Sequence, residues 1–322
     1  MTDRHAPVVS VAMKSYEHAA YVGQAMQSVL DQSFTDFELL VTDDGSTDGT
    51  PEIVRGFADK RVRFERFETN RGMAAAMNAT VRRARGEFVA ILNSDDLALP
   101  GRLEAQVAFL RDRPDVAAVF SVPVQVGESG EPVEGFGGIF AVPFSDPEIS
   151  RRAWLRHFFL GGNCLCAPTA MIRRSALTAI GPDDERLAHL LDLDRWIRLL
   201  EAHEIRVVDQ PLTAFRVRAG LGNASAARSD TRLRDAFESF EIFKRYRGFS
   251  GPFLREIFAE DIARERIDPA LPGPVLLGEI ALTGRNIWHP LFALDALFCA
   301  GGDLERLREL TGRVDAFRAL AP

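Results

Sequence analysis

Cysteine is scarce in this chain: Cys164, Cys166 and Cys299 are its only three in 322 residues. Three thiols are too few for a disulfide framework or a four-ligand zinc site, and they read as reduced thiols of a cytosolic protein. No run reaches the roughly 18 apolar residues that a spanning helix needs. The N-terminal "MTDRHAP" leads straight into a strand-like segment, with no apolar signal stretch. The expectation is therefore a soluble, cytoplasmic protein. Basic charge is not in surplus either. A formal net charge of −7 argues against nucleic acid as a partner, because that needs a basic face. The clusters "VRRAR" and "RRAW" are too short to overturn this and read as solvated helix faces. What is present, 46% hydrophobic and 26% charged residues, is the composition of an ordinary globular chain of one or two domains.

Apolar periodicity organises the first half. "VVSVAM" (8–13), "FELLVT" (37–42) and "EFVAIL" (87–92) are short apolar runs that predict buried strands. "VRFERF" (62–67) predicts a fourth, with Val62, Phe64 and Arg66 on one face. Between them, Val22, Ala25, Met26, Val29 and Leu30 recur at helical spacing, and "MAAAMNATVRRA" is rich in helix formers. Thr50 is expected to cap a helix that starts at Pro51. Strand and helix thus alternate three times and close on a strand, which predicts an α/β fold with a mostly parallel sheet and helices on both faces.

Two acidic clusters follow two of these strands. "VTDDGSTDGT" (41–50) spaces Asp44, Ser46, Asp48 and Gly49 like a calcium loop, but Arg55 stands where the bidentate glutamate belongs and a strand stands where the helix should be. "NSDD" (93–96) follows the later strand. Ligands of open parallel sheets bind outside the carboxyl ends of the strands, so both clusters are placed on one rim. Crowded carboxylates repel, and a hard divalent cation between them is the expected remedy.

At these residues the chain resembles the family-2 glycosyltransferases, inverting enzymes of the GT-A fold. The likeness runs from "VSVAMKSYEHAAYVGQAMQSVLDQSFTDFELLVTDDGSTDGT" through "NRGMAAAMNATVRRARGEFVAILNSDD" and "MIRRSALTAIG" to "LLDLDRWIRL", about residues 7 to 220. It implies a Rossmann-like GT-A catalytic domain over 1–225, with nucleotide-sugar binding in 7–123 and the acceptor and base region in 124–225. A helical C-terminal extension would follow over 226–322. It implies transfer of a sugar from a nucleoside diphosphate donor, uridine or thymidine diphosphate in kind, to a hydroxyl of a glycan or lipid-linked acceptor.

The roles implied by the resemblance fall on particular residues. Asp44, with Asp43 beside it, would accept the N–H of a pyrimidine base, since an ionised carboxylate only accepts. Ser15 and Tyr16 would wall the base, and Arg71 and Asn78 would contact the nucleotide. Asp95 would meet the ribose, and Asp96 would hold Mg²⁺ or Mn²⁺ against the diphosphate, where a cation stabilises the charge of the leaving group. Asn93 stands where the family commonly has another aspartate, and is not counted as a ligand. Asp192 matches the general base that takes the acceptor's proton, although Leu191 replaces the family's preceding glutamate. Asp194 is the competing candidate, and the plain alternative is that both aspartates pair with Arg195 and Arg198 on a helix surface. In "FRVRAG", Arg218 takes the place of a metal-binding histidine and is expected to clamp the diphosphate itself.

Other segments carry less. "LGGNCLCAP" (160–168) would line the acceptor side, and His157, His189 and His203 are given no catalytic role. The phenylalanine-rich C-terminal helices are expected to pack on the catalytic domain or a second subunit, with peripheral membrane contact as the alternative. Two other functional classes share the acidic rim: a nucleotidyltransferase, whose glycine- and lysine-rich loop "MKSYEHAAY" does not supply, and a non-catalytic nucleotide-sugar binding module.

Overall fold

The computed structural model describes residues 6–133, 146, 148–218, 223 and 229–300. They form two compact units, one of residues 1–151 and 164–226, the other of residues 152–163 and 227–322. Residues 152–163 therefore belong with the C-terminal helices rather than with the segment in which the sequence places them.

The first unit is built on an eight-stranded sheet. Its strands are β1 (Val9–Ser15), β2 (Phe37–Asp43), β3 (Val62–Arg66), β4 (Phe88–Asn93), β5 (Leu97–Ala98), β6 (Val116–Val126), β7 (Met171–Arg173) and β8 (Glu204–Arg216). Their order is β3-β2-β1-β4-β7-β6-β8-β5. The four strands expected from the apolar runs lie together and parallel. Beyond β4 the sheet becomes mixed, because β7 runs antiparallel to both β4 and β6.

Alternation of side chains decides what packs on each face. Val9, Val11 and Met13 of β1 share a core with Val22 and Met26 of α1 (Val22–Leu30), Val54 of α2 (Thr50–Arg55) and Leu103 and Val107 of α4 (Arg102–Asp112). On the opposite face, Thr42 of β2 receives a hydrogen bond at 2.7 Å from Thr80 of the alanine-rich α3 (Met73–Arg82). Small residues let that helix approach closely. The helix after β7, α6 (Arg174–Ile180), leads to α7 (Leu191–Leu200), in which every residue except Asp192 is buried. Its charges are internal. Arg198 donates to Asp194 at 2.7 Å, and Arg195 donates through two nitrogens to Asp183. The aspartates of α7 thus do not share Arg195 and Arg198 on a surface, because both arginines are consumed in a buried network, where losing one partner costs several kcal/mol.

The second unit contains the helix α5 (Arg151–Gly161), apart from its first residue, with α8 (Ser229–Phe243), α9 (Gly251–Ile257), α10 (Ala259–Glu265), α11 (Gly273–Ala281) and α12 (Trp288–Cys299). Phe159 is its hub. The rings of Phe243, Tyr246, Phe258, Trp288, His289 and Phe292 surround it with centroids 5.0 to 5.9 Å away. This packing accounts for the phenylalanine density of the segment. Leu233, Phe237, Ile287, Leu291 and Phe298 remain exposed. Among the described residues, no helix is long and apolar enough to cross a membrane.

Candidate active site

Strand β1 ends between β2 and β4, and the registers set Ser15 beside Asp43 and Lys14 beside Asn93. The two acidic clusters therefore flank the end of β1, on the rim where the sequence places them.

Most polar atoms of the first cluster are spent on holding loops. Asp43 accepts the Ser46 N–H at 2.9 Å and its hydroxyl at 2.5 Å, and faces Arg66 Nε at 3.4 Å. Asp48 accepts the N–H of Thr50, which is the first residue of α2 rather than its cap. A charged carboxylate two residues earlier takes that capping bond. Asp44 reaches across to the next loop and accepts the amides of Arg71 at 2.7 Å and Gly72 at 2.9 Å. Gly45 makes this possible. Its φ is +80°, and a Cβ there would lie 2.6 Å from the backbone of Thr69. Burial raises the pKa of Asp44, against the two amides that lower it. The side chain of Arg71 lies over the Phe67 ring, and the Asn78 amide exchanges hydrogen bonds with the backbone of Asp183 at 2.8 and 3.0 Å. Asn78 is thus a brace between α3 and the loop before α7. Tyr16 is 45% exposed, whereas Ser15 is buried and its hydroxyl has no hydrogen-bond partner. An orphaned buried hydroxyl at a rim is an unmet demand for a polar ligand.

In the second cluster the two carboxylates have different surroundings. Asp96, expected to hold the metal, gives one oxygen to the Arg216 N–H at 2.8 Å and the other to the Asn93 amide at 2.8 Å. Burial beside Asp95 pushes its pKa well above the ordinary carboxylate range. Asp95 differs. It is buried, accepts no hydrogen bond among the described residues, and its Oδ2 faces Arg218 Nε at 3.7 Å and His18 Nε2 at 3.9 Å. Arg216 braces this arrangement, donating from Nε to the Asp95 carbonyl at 2.7 Å and from Nη2 to Gln24 Oε1 at 3.0 Å.

The chain sets a cation of its own beside the second cluster. Lys14 Nζ donates to Asn93 Oδ1 at 3.0 Å. Burial lowers its pKa, while Asp95, Asp96 and Asp192 pull it back up. Lys14 is therefore within electrostatic reach of both the rim aspartates and the aspartate of α7. Asp192 is the second residue of α7, half-buried, where the positive end of the helix favours its anion. Asp194 is buried with Arg198, whereas Asp192 is partly exposed.

Lys14, His18 and Arg216 are residues to which the sequence reading gave no role of their own. Lys14 and His18 lie in "KSYEHA", and only the parallel register and the loop contacts reveal where they point. For a divalent cation, the donor set is narrow. Among the described residues, no three His, Cys, Asp or Glu side chains gather to hold an ion. One carboxylate fits an ion that also takes phosphate oxygens and water as ligands, the habit of Mg²⁺.

Comparison with known proteins bears on the family and the fold. The family described as Glycosyl transferase family 2 matches residues 10–181. TuaG of Bacillus subtilis (strain 168), named as a teichuronic acid biosynthesis glycosyltransferase, is 37% identical over 198 residues, 61% of this chain and 73% of its own. The structure of S. aureus TarS in complex with UDP-GlcNAc superposes with a TM-score of 0.58 at 22% identity, over 90% of this chain and 79% of that one. The mannosyltransferase PcManGT from Pyrobaculum calidifontis, in complex with GDP-Man and Mn²⁺, gives a TM-score of 0.51 at 22% identity over 99% and 81%. The fold is the GT-A fold that the sequence implies.

Proposed function

The chain belongs to glycosyl transferase family 2, and we propose that it transfers a sugar, with inversion, from a nucleoside diphosphate donor to a hydroxyl of a glycan or lipid-linked acceptor in polysaccharide synthesis. One observation supports the reading: the acidic loops after β2 and β4 flank the end of β1, and there Arg218 faces Asp95 at 3.7 Å. The names of TuaG and of the ligands in TarS and PcManGT support the substrate class.

In this mechanism the diphosphate lies against Arg218, whose planar set of donors suits phosphate oxygens. The free lone pairs of Asp44 accept the N3–H of uracil or thymine, and the unpartnered Ser15 hydroxyl meets the nucleotide. Asp192 takes the proton of the acceptor hydroxyl as that oxygen attacks the anomeric carbon from the side opposite the diphosphate. The bond from the anomeric carbon to the phosphate oxygen breaks, and its electron pair leaves with the nucleoside diphosphate. Lys14 and Arg218 meet the charge that develops. Mg²⁺ or Mn²⁺ would be held by Asp95 with phosphate oxygens and water, and supplies Lewis-acid stabilisation of the leaving group.

The test is incubation with a panel of uridine, thymidine, guanosine and adenosine diphosphate sugars, with release of nucleoside diphosphate followed by chromatography. Release from a uridine or thymidine donor supports the reading. No release from any donor, with no diphosphate bound in calorimetry, would end it.

A further inference from the structure

The polar residues of "DGSTDGT" that do not face a ligand have a common purpose. Glu17, His18 and Ala19 present three successive amides, and each is taken by a side chain of that loop: Ser46 Oγ at 2.9 Å, Thr50 Oγ1 at 2.9 Å and Asp48 Oδ2 at 2.9 Å. Glu17 in turn accepts the Thr47 N–H at 2.7 Å. The fastening holds Glu17 at a φ of 54°, a left-handed conformation that a residue with a Cβ adopts at a cost. Strain kept in place by so many bonds points to what the segment presents, which is the imidazole of His18.

That imidazole joins two further elements. Its Nδ1 is 2.7 Å from Ser94 Oγ, next to Asp95, and its Nε2 is 3.2 Å from an Arg218 guanidinium nitrogen. A guanidinium has donors only, so Nε2 must offer its lone pair, and the ring proton sits on Nδ1 and points at Ser94. His18 thus offers Arg218 a hydrogen-bond acceptor, and the same guanidinium lies 3.7 Å from Asp95.

We propose that His18 is a positioning residue of the transfer reaction, which holds the Arg218 guanidinium in line for the donor diphosphate. The inference rests on the proposed role of Arg218 as the diphosphate clamp. It assigns His18 no contact with the reacting carbon and no proton transfer. The gain is preorganisation: a long, flexible side chain is aimed before the donor arrives, so less freedom is lost on binding.

A double-mutant cycle tests this, read by calorimetry with the nucleoside diphosphate that the wild type binds tightest and with its parent nucleoside. Arg218→Ala is expected to weaken the diphosphate roughly 10- to 100-fold, the scale for a charged hydrogen-bonding group. His18→Phe should weaken it roughly 3- to 10-fold in the wild type and under about twofold beside Arg218→Ala. His18→Gln keeps an acceptor for Arg218 and a donor for Ser94, and should retain most of the affinity. Nucleoside binding should be unchanged throughout. Losses that multiply in the double variant, or equal losses for Gln and Phe, would overturn the role of His18 alone. An Arg218→Ala protein that binds diphosphate as the wild type does would overturn the clamp as well. Should His18→Phe not fold, the comparison of His18→Gln with the Lys variant, whose like charge would repel Arg218, decides the same point: similar affinities would overturn the proposal.

Discussion

The carboxylate of Asp96 accepts the backbone N–H of Arg216 at 2.8 Å, across 120 positions of sequence. This bond ties the loop after β4 to the end of β8, while the neighbouring Asp95 side chain faces Arg218 and His18 instead. Asp96→Ala is therefore expected to lower stability by about 1–3 kcal/mol, the cost of an unsatisfied buried donor. Asp95→Ala should leave urea unfolding nearly unchanged and weaken the joint binding of Mn²⁺ and nucleoside diphosphate. Comparison of denaturation midpoints with calorimetric titrations checks both, and the reverse pattern would return the metal to Asp96.

Arg218 replaces a potential metal ligand by a group with no lone pair to give. Arg218→His should therefore tighten Mn²⁺ binding in the presence of nucleoside diphosphate while weakening diphosphate binding in a chelator. Electron paramagnetic resonance of free Mn²⁺ measures the first and calorimetry the second. Unchanged Mn²⁺ affinity would separate position 218 from the ion.

In the helical unit, burial pulls the pKa of His289 down to about 4, although Phe159 and Asn286 hydrogen-bond its ring. The fold thus favours the neutral ring. The stability this contributes is complete above the ordinary histidine pKa near 6.5 and is lost as pH falls from there towards 4. Between pH 7 and 5 the loss attributable to His289 should be about 2 kcal/mol. His289→Phe should flatten that part of the pH profile of urea unfolding, and parallel profiles for the two proteins would contradict it.

What could be read beforehand follows from how local the physics is. Strands β1, β2 and β4 announce themselves because a strand buried on both faces must be a continuous apolar run. Strands β6 and β8 do not. They carry Pro123 and Pro211, and their pairing slips between Val116 and Ala118 and again between Ser121 and Pro123, which breaks any regular pattern. The acidic site residues were visible as carboxylates after strands. Which oxygens remain open was not, since Asp43, Asp44 and Asp96 are occupied by groups 3, 27 and 120 residues away. The place of Lys14 was not visible either, because only the register of β1 against β4 brings that side chain to Asn93.

The central claim is that Asp192 is the base of a reaction whose donor is held elsewhere on the rim. It is tested most directly by measuring donor affinity and turnover of Asp192→Asn side by side, with Asp194→Asn followed for unfolding. Donor affinity within about twofold of the wild type, with turnover lowered roughly 10²–10⁴-fold, is the predicted result. Loss of donor binding in step with turnover, or an unaltered rate, would contradict it.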